Sequence, residues 1–140
     1  MIVLDTSFLI GFHNERDAHH QVARTLMEAF LAGNWGKGLL LEYVFLEVMT
    51  VLLMRRDLTV ANHVGRILLE AEELEFVSCS DFFSTTLHNF ATQTDTRLSF
   101  VDTAIATVAQ RRADGLLLSF DAEFQKVPHL RVIHSTSTLN

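Results

Sequence analysis

Residues 1–10 read MIVLDTSFLI, and the fold is decided there. Ile2, Val3 and Leu4 form a short, continuous apolar run rich in β-branched side chains, the pattern of a strand buried on both faces in a parallel sheet. Asp5 ends the run. An aspartate is seldom buried without a partner, yet this one stands where the strand leaves the core, ahead of Thr6 and Ser7, two residues able to cap a following helix. Ligands of open α/β sheets bind beyond the carboxyl ends of the strands. Asp5 is therefore the first candidate site residue, weighed against the plainer alternative that it only caps a turn.

Outward from this stretch the chain alternates. Thr6 to Phe12 reads as one or two helical turns, HNERDAHH as a polar loop, and Val22, Leu26, Ala29 and Phe30 recur at helical spacing until Gly33 stops them. His19 and His20 have no nearby Cys or third His, so they read as surface or helix-capping residues rather than as metal ligands. Leu39 to Leu41 is a second buried strand. The segment EYVFLEVMTVLLMRR, residues 42–56, follows as a helix that is apolar on nearly every face between Tyr43 and Met54, which predicts a central helix packed on several sides. Glu47 is the anomaly inside it. A buried lone glutamate needs a cation or a donor, and the plain alternative is a structural salt bridge with an arginine.

Residues 57–73 predict a further amphipathic helix, and Leu74 to Ser78 a third strand. In Asp81 to Thr94, the stripe of Phe82, Phe83, Leu87, Phe90 and Ala91 predicts docking against the core. Leu98 to Ala113 is a helix with Ser99 as N-cap and Asp102 completing a box-like start, where an acid also simply suits the helix dipole. Leu116 to Leu118 is a fourth buried strand that runs through Ser119 and Phe120 into Asp121, much as the first runs into Asp5. Leu130 to Ile133, beyond Pro128, is an edge strand.

Strands alternating with helices predict one domain over residues 1–140, a three-layer α/β/α sandwich around a mostly parallel sheet. Two strands end in Asp5 and Asp121, and two helices carry Glu47 and Asp102 near their starts, so all four acids are expected at one sheet edge. Gathered there, they would raise one another's pKa unless positive charge sat among them. The four segments offer no obvious lysine or arginine beside the acids, so Mg²⁺ or Mn²⁺, cations that favour oxygen ligands, is the natural counter-charge. Such a cup suits phosphodiester hydrolysis. Asp5 and Asp102 are assigned to a primary metal and Asp121 to a second metal or a water bridge. Glu47 is assigned to orienting the attacking water, with Thr6, Ser7 and Ser119 as supporting hydroxyls.

MIVLDTSFLI, EYVFLEVMTVLL, LSFVDTAIATVA and LLLSFDAEF, in this order and spacing, resemble the four acidic motifs of the PIN domain, specifically the small VapC-like toxins of prokaryotic toxin-antitoxin pairs. The resemblance spans essentially the whole chain. It implies a parallel sheet flanked by helices, a Mg²⁺- or Mn²⁺-dependent ribonuclease, frequent dimerisation, and family acids at Asp5, Glu47, Asp102 and Asp121. The chain departs from the family at Leu40, Leu41 and Glu42, where a hydroxyl or small polar residue is common, and at Leu46, where many relatives carry an acid. A receiver domain would want an acidic pair after the first strand, and a HAD-like phosphotransferase a second aspartate where Ser7 stands. A stand-alone RNA-processing nuclease and a non-catalytic PIN scaffold are the remaining alternatives. Loss of an acid would mark the scaffold, and all four are present.

Composition agrees with this class. Nearly half of the 140 residues are hydrophobic, enough for a sizeable core, with no repeat or linker-like stretch. The net charge of -6 argues against wholesale wrapping of nucleic acid but leaves room for a local basic rim, expected from Arg16, Lys37, Arg55, Arg56, Arg97, Arg111 and Arg112. The single cysteine, Cys79, rules out a disulfide framework, and no stretch reaches the ~20 apolar residues of a membrane span. A soluble, cytoplasmic protein is expected. The resemblance implies an RNA substrate and a small antitoxin as partners; a second copy of the chain is expected from the resemblance together with composition, since eleven phenylalanines and two apolar stripes exceed the needs of one sheet face.

Overall fold

The computed structural model describes residues 1–139. Five strands, β1 (Ile2–Leu4), β2 (Gly38–Leu41), β3 (Leu74–Val77), β4 (Leu116–Leu118) and β5 (Arg131–Ile133), form one sheet in the order β3-β2-β1-β4-β5. Every pairing is parallel, so the sheet is wholly rather than mostly so. In the middle, Val3 pairs with Leu39 on one side and Leu117 on the other. Ile2, Val3, Leu4, Leu39, Leu41, Leu117 and Leu118 have no exposed surface, because both sheet faces are covered.

The helices are α1 (Thr6–His13), α2 (His20–Leu31), α3 (Glu42–Arg55), α4 (Leu58–Glu70), α5 (Phe83–Thr92) and α6 (Phe100–Arg112). Contacts sort them into two groups: α1 packs on α2 and α3, α3 packs on α4, and α5 packs on α6. The first group joins β1 to β2 and β2 to β3, moving one way across the sheet; the second carries the chain back past β1 to β4. These opposite directions put the two groups on opposite faces, the three-layer arrangement expected of parallel crossovers. Because the chain leaves β1 and β4 in different directions, their carboxyl ends open a crevice at the switch point of the sheet. No helix among the described residues is long and apolar enough to cross a membrane.

Three local expectations are corrected. Thr6 and Ser7 do not cap α1: its N-cap is Asp5, with no side-chain capping bond. The helix α3 packs on α1, α4 and β2, but its nearly all-apolar surface is not covered throughout: Val44, Val48 and Leu52 are buried while Leu46, Leu53 and Met54 are exposed. The α5 stripe does not dock into the core either. Phe83, Leu87 and Phe90 are exposed, and Phe83 and Phe90 instead gather around Phe100 with ring centroids 5.6 Å apart in each pair.

Candidate active site

The crevice between the ends of β1 and β4 holds the acids. Asp5 follows β1 directly and is 4% exposed, with its backbone N–H donating to Leu118 O at 3.0 Å and so continuing the β1–β4 ladder. Its Oδ2 accepts from Ser7 Oγ at 2.6 Å and from Ser119 Oγ at 2.7 Å. Ser7 Oγ also accepts from Phe120 N at 2.9 Å, and Ser119 Oγ from Asp121 N at 3.0 Å. The two hydroxyls thus tie the first turn of α1 to the segment after β4, so positioning Asp5 and Asp121 is one structural event.

Asp121 caps the 3-10 turn Ala122–Lys126, its Oδ1 accepting from Glu123 N at 2.9 Å. Asp102 occupies the third position of α6 in a capping box: Asp102 N donates to Ser99 Oγ at 3.0 Å, and Ser99 N donates to Asp102 Oδ2 at 3.3 Å. Glu47 meets no arginine. Its Oε1 accepts from Thr6 Oγ1 at 2.7 Å, which orients the carboxylate from α3 toward the start of α1.

All four acids line one cleft of about 270 Å³, together with Thr6, Ser7, Ile10 and Val51. Three further residues on its wall, Asp17, His19 and Arg55, were not singled out from the sequence as site residues. Asp17 and His19 sit in a polar loop whose folding over the crevice no local pattern announces, and Arg55 was only one of seven rim candidates. Four others of that rim lie elsewhere. Arg112 pairs with Glu75, and Arg56 donates to Asn14 Oδ1 at 3.2 Å. Lys37 precedes β2 and Arg111 ends α6, so both lie toward the opposite edge of the sheet.

The electrostatics of the cleft follow from burial and from the crowding of like charges. Burial pushes the Asp5 carboxyl up, and the hydroxyl bonds only partly oppose it. Asp102 is also raised, first by burial and then by the neighbouring charges of Asp5 and Asp121. Among the described residues, no ion pair reaches any of the four acids; Arg55 instead lies 3.9 Å from Asp17. As the side chains stand, no three His, Cys, Asp or Glu groups among the described residues are close enough together to hold an ion directly. An all-protein cage is therefore absent, but Mg²⁺ retains several waters and binds through one or two carboxylates plus substrate phosphate. Uncompensated oxygen donors around an open cleft fit such an ion.

The wholly parallel 3-2-1-4-5 sheet and four acids at its switch point define a class, and the sequence confirms it: residues 2–130 match the PIN domain model, and the chain belongs to that family. Its fold is similar to VapC20 of Mycobacterium tuberculosis, a toxin that cleaves the sarcin-ricin loop, with a TM-score of 0.78 and 21% identity over 93% of this chain and 97% of that one. It is similar to VapBC2 of Rickettsia felis, solved on a DNA fragment from its promoter (TM-score 0.66, 17% identity, 95% and 98% covered). A toxin-antitoxin complex from Klebsiella pneumoniae is also similar (TM-score 0.65, 17% identity, 96% and 97% covered). No curated protein sequence matches the chain significantly.

Proposed function

We propose that this protein is a divalent-metal-dependent endoribonuclease acting on single-stranded RNA, and the toxin of a toxin-antitoxin pair. One observation carries the reading: four carboxylates at a sheet switch point face one cleft without a cationic partner, two of them raised toward protonation. A fold that needed these acids only for stability would have paired them. Asp5 and Asp102 would hold the ion, with Asp121 contributing from across the β1–β4 gap, directly or through water. When bound, Mg²⁺ or Mn²⁺ lowers the pKa of a water and neutralises charge on the phosphate.

The chain's own groups do the positioning. Ser7 and Ser119 hold the Asp5 carboxylate at Oδ2, the Ser99 box fixes the Asp102 backbone, and the Thr6 hydroxyl holds Glu47 so that its free oxygen can orient an attacking water and take its proton. Cleavage of a fluorescently labelled single-stranded RNA tests this reading. Cleavage should require Mg²⁺ or Mn²⁺, stop in EDTA and return when either ion is restored; undiminished cutting in EDTA ends the metal-nuclease reading.

The same reading supplies the partners. The solved neighbours include toxin-antitoxin assemblies, and this chain exposes Leu46, Leu53 and Met54 on α3 and Phe83, Leu87 and Phe90 on α5. Exposed apolar groups of this extent mark surfaces that other chains cover. We assign them to a second copy and to an antitoxin segment that brings a basic side chain to the acids. Equilibrium sedimentation at tens of micromolar checks the first assignment: a dimer is expected, and a strict monomer removes it.

A further inference from the structure

His19 belongs to no acid motif, yet its side chain is built into the wall of the cleft that holds Asp5, Asp102 and Asp121. Its imidazole stacks on Phe120, with ring centroids 4.5 Å apart and planes 8° from parallel. Phe120 in turn packs on Phe8, a fully buried core residue, at 6.2 Å. Gly11 leaves the room this needs: a Cβ there would lie 3.1 Å from Phe120 Cε2 and 3.6 Å from His19 Cβ. Three rings thus rise in a column from the core to the cleft. Asp17 flanks the outermost ring: its Oδ1 accepts from the His19 backbone N–H at 2.8 Å and lies 3.5 Å from the ring Nδ1. One face of the imidazole is taken by Phe120 and one edge by Asp17, while 55% of the side chain remains exposed.

We infer that His19, backed by Phe120, is a stacking shelf for the nucleobase beside the scissile phosphate. The inference rests on the nuclease reading of the acid cleft and adds how the substrate is gripped there. Even with a divalent ion among them, five carboxylates and a single arginine leave the cleft little positive charge for a phosphodiester backbone, so a contact that does not depend on charge adds to the ground-state complex. A flat ring held rigid on one side supplies it, and because every base has a π-face the contact tolerates many sequences. His19 is in this sense a positioning residue.

The test uses an oligoribonucleotide with one mapped cleavage point, and the same strand lacking the base on the 5′ or the 3′ side of it, with Mn²⁺ present throughout. His19→Ala is expected to lower kcat/KM on the intact strand roughly 5- to 30-fold, chiefly through KM, in the lower part of the range known for base–aromatic stacking. His19→Phe, which keeps a flat ring but no ring nitrogen, should stay near the wild-type value and also controls for folding. On one of the two abasic strands, wild type and His19→Ala should become equal. The shelf is overturned if His19→Ala equals wild type on the intact strand, if His19→Phe falls as far as His19→Ala, or if the deficit persists on both abasic strands. Wild-type protein that cuts no RNA with either metal overturns the nuclease reading and the shelf together, whereas wild-type cleavage with an indifferent His19→Ala removes the shelf alone.

Discussion

Asp5→Asn and Asp102→Asn are each expected to reduce RNA cleavage by about 10³-fold or more and to make the metal-free protein more resistant to heat at neutral pH. The loss follows from removing an anionic donor to a cation whose charge stabilisation is worth several kcal/mol, at about 1.4 kcal/mol per tenfold in rate. The gain in stability follows from the raised carboxyls. Both groups titrate above the ordinary value of 3.8 in the folded state, so between that value and their folded pKa the native protein holds more protons than the unfolded chain. Stability therefore falls as pH rises through this window, and the penalty is fully present once both carboxyls are ionised. Asparagine carries no charge and escapes it. Asparagine also preserves the acceptors used by Ser7, Ser119 and the Ser99 N–H.

Thermal melts against pH with and without Mn²⁺, beside a cleavage time course, check both halves. Retained activity in either variant would remove that residue from the metal site. A fall in metal-free stability would show instead that the carboxylate was structurally required. Ser119→Ala and Thr6→Val provide a graded comparison, since losing a partner that orients a ligand costs about 10–100-fold, less than losing the ligand itself.

Gly115→Ala has the largest effect on stability expected of any single methyl group in this chain. Gly115 lies at φ +80, between the end of α6 and β4, and a Cβ there would stand 2.1 Å from His129 O. The obstacle is backbone on both sides: Gly115 N donates to Ala109 O at 2.8 Å, and Gly115 O accepts from Arg131 N at 2.8 Å. Neither neighbour can yield without breaking the helix stop or the β4–β5 pairing. The left-handed conformation costs a non-glycine residue about 1–2 kcal/mol, and forced overpacking typically costs about 1–3 kcal/mol more. A total of roughly 2–5 kcal/mol implies a melting temperature lower by about 10 °C, measured calorimetrically. An unchanged melting temperature would mean that β5 can move away freely. Asp121 follows β4 by only a few residues, so Gly115→Ala should also impair cleavage through displacement rather than chemistry.

Much of the fold was legible because the three central strands are short apolar runs, each closed by a change of chemistry. Ile2–Leu4 stops at Asp5, Leu39–Leu41 at Glu42, and Leu116–Leu118 at Ser119. Runs of this kind can be buried only in a sheet covered on both faces, and the helical segments between them require parallel crossovers. The convergence of four acids at one edge then follows from chain direction, since strand ends and the helix starts beside them share that edge.

Periodicity reports that a helix has an apolar face, but not which layer covers it: the α5 stripe meets Phe100 and solvent, while Thr86 is the buried position. The seven basic residues looked equivalent in one dimension, and only their places at opposite ends of the sheet separated Arg55 from Lys37, Arg111 and Arg112. The sequence by itself determined the central strands, their parallel direction and which four acids meet at one edge, because these depend on local patterning and chain direction. The tertiary structure alone decided that Ser7 and Ser119 both bond Asp5, that Thr6 holds Glu47, and that His19 lies flat on Phe120. Those contacts join residues up to 114 positions apart, and a hydroxyl or an imidazole has no preferred partner until packing brings one within 3 Å or so of it.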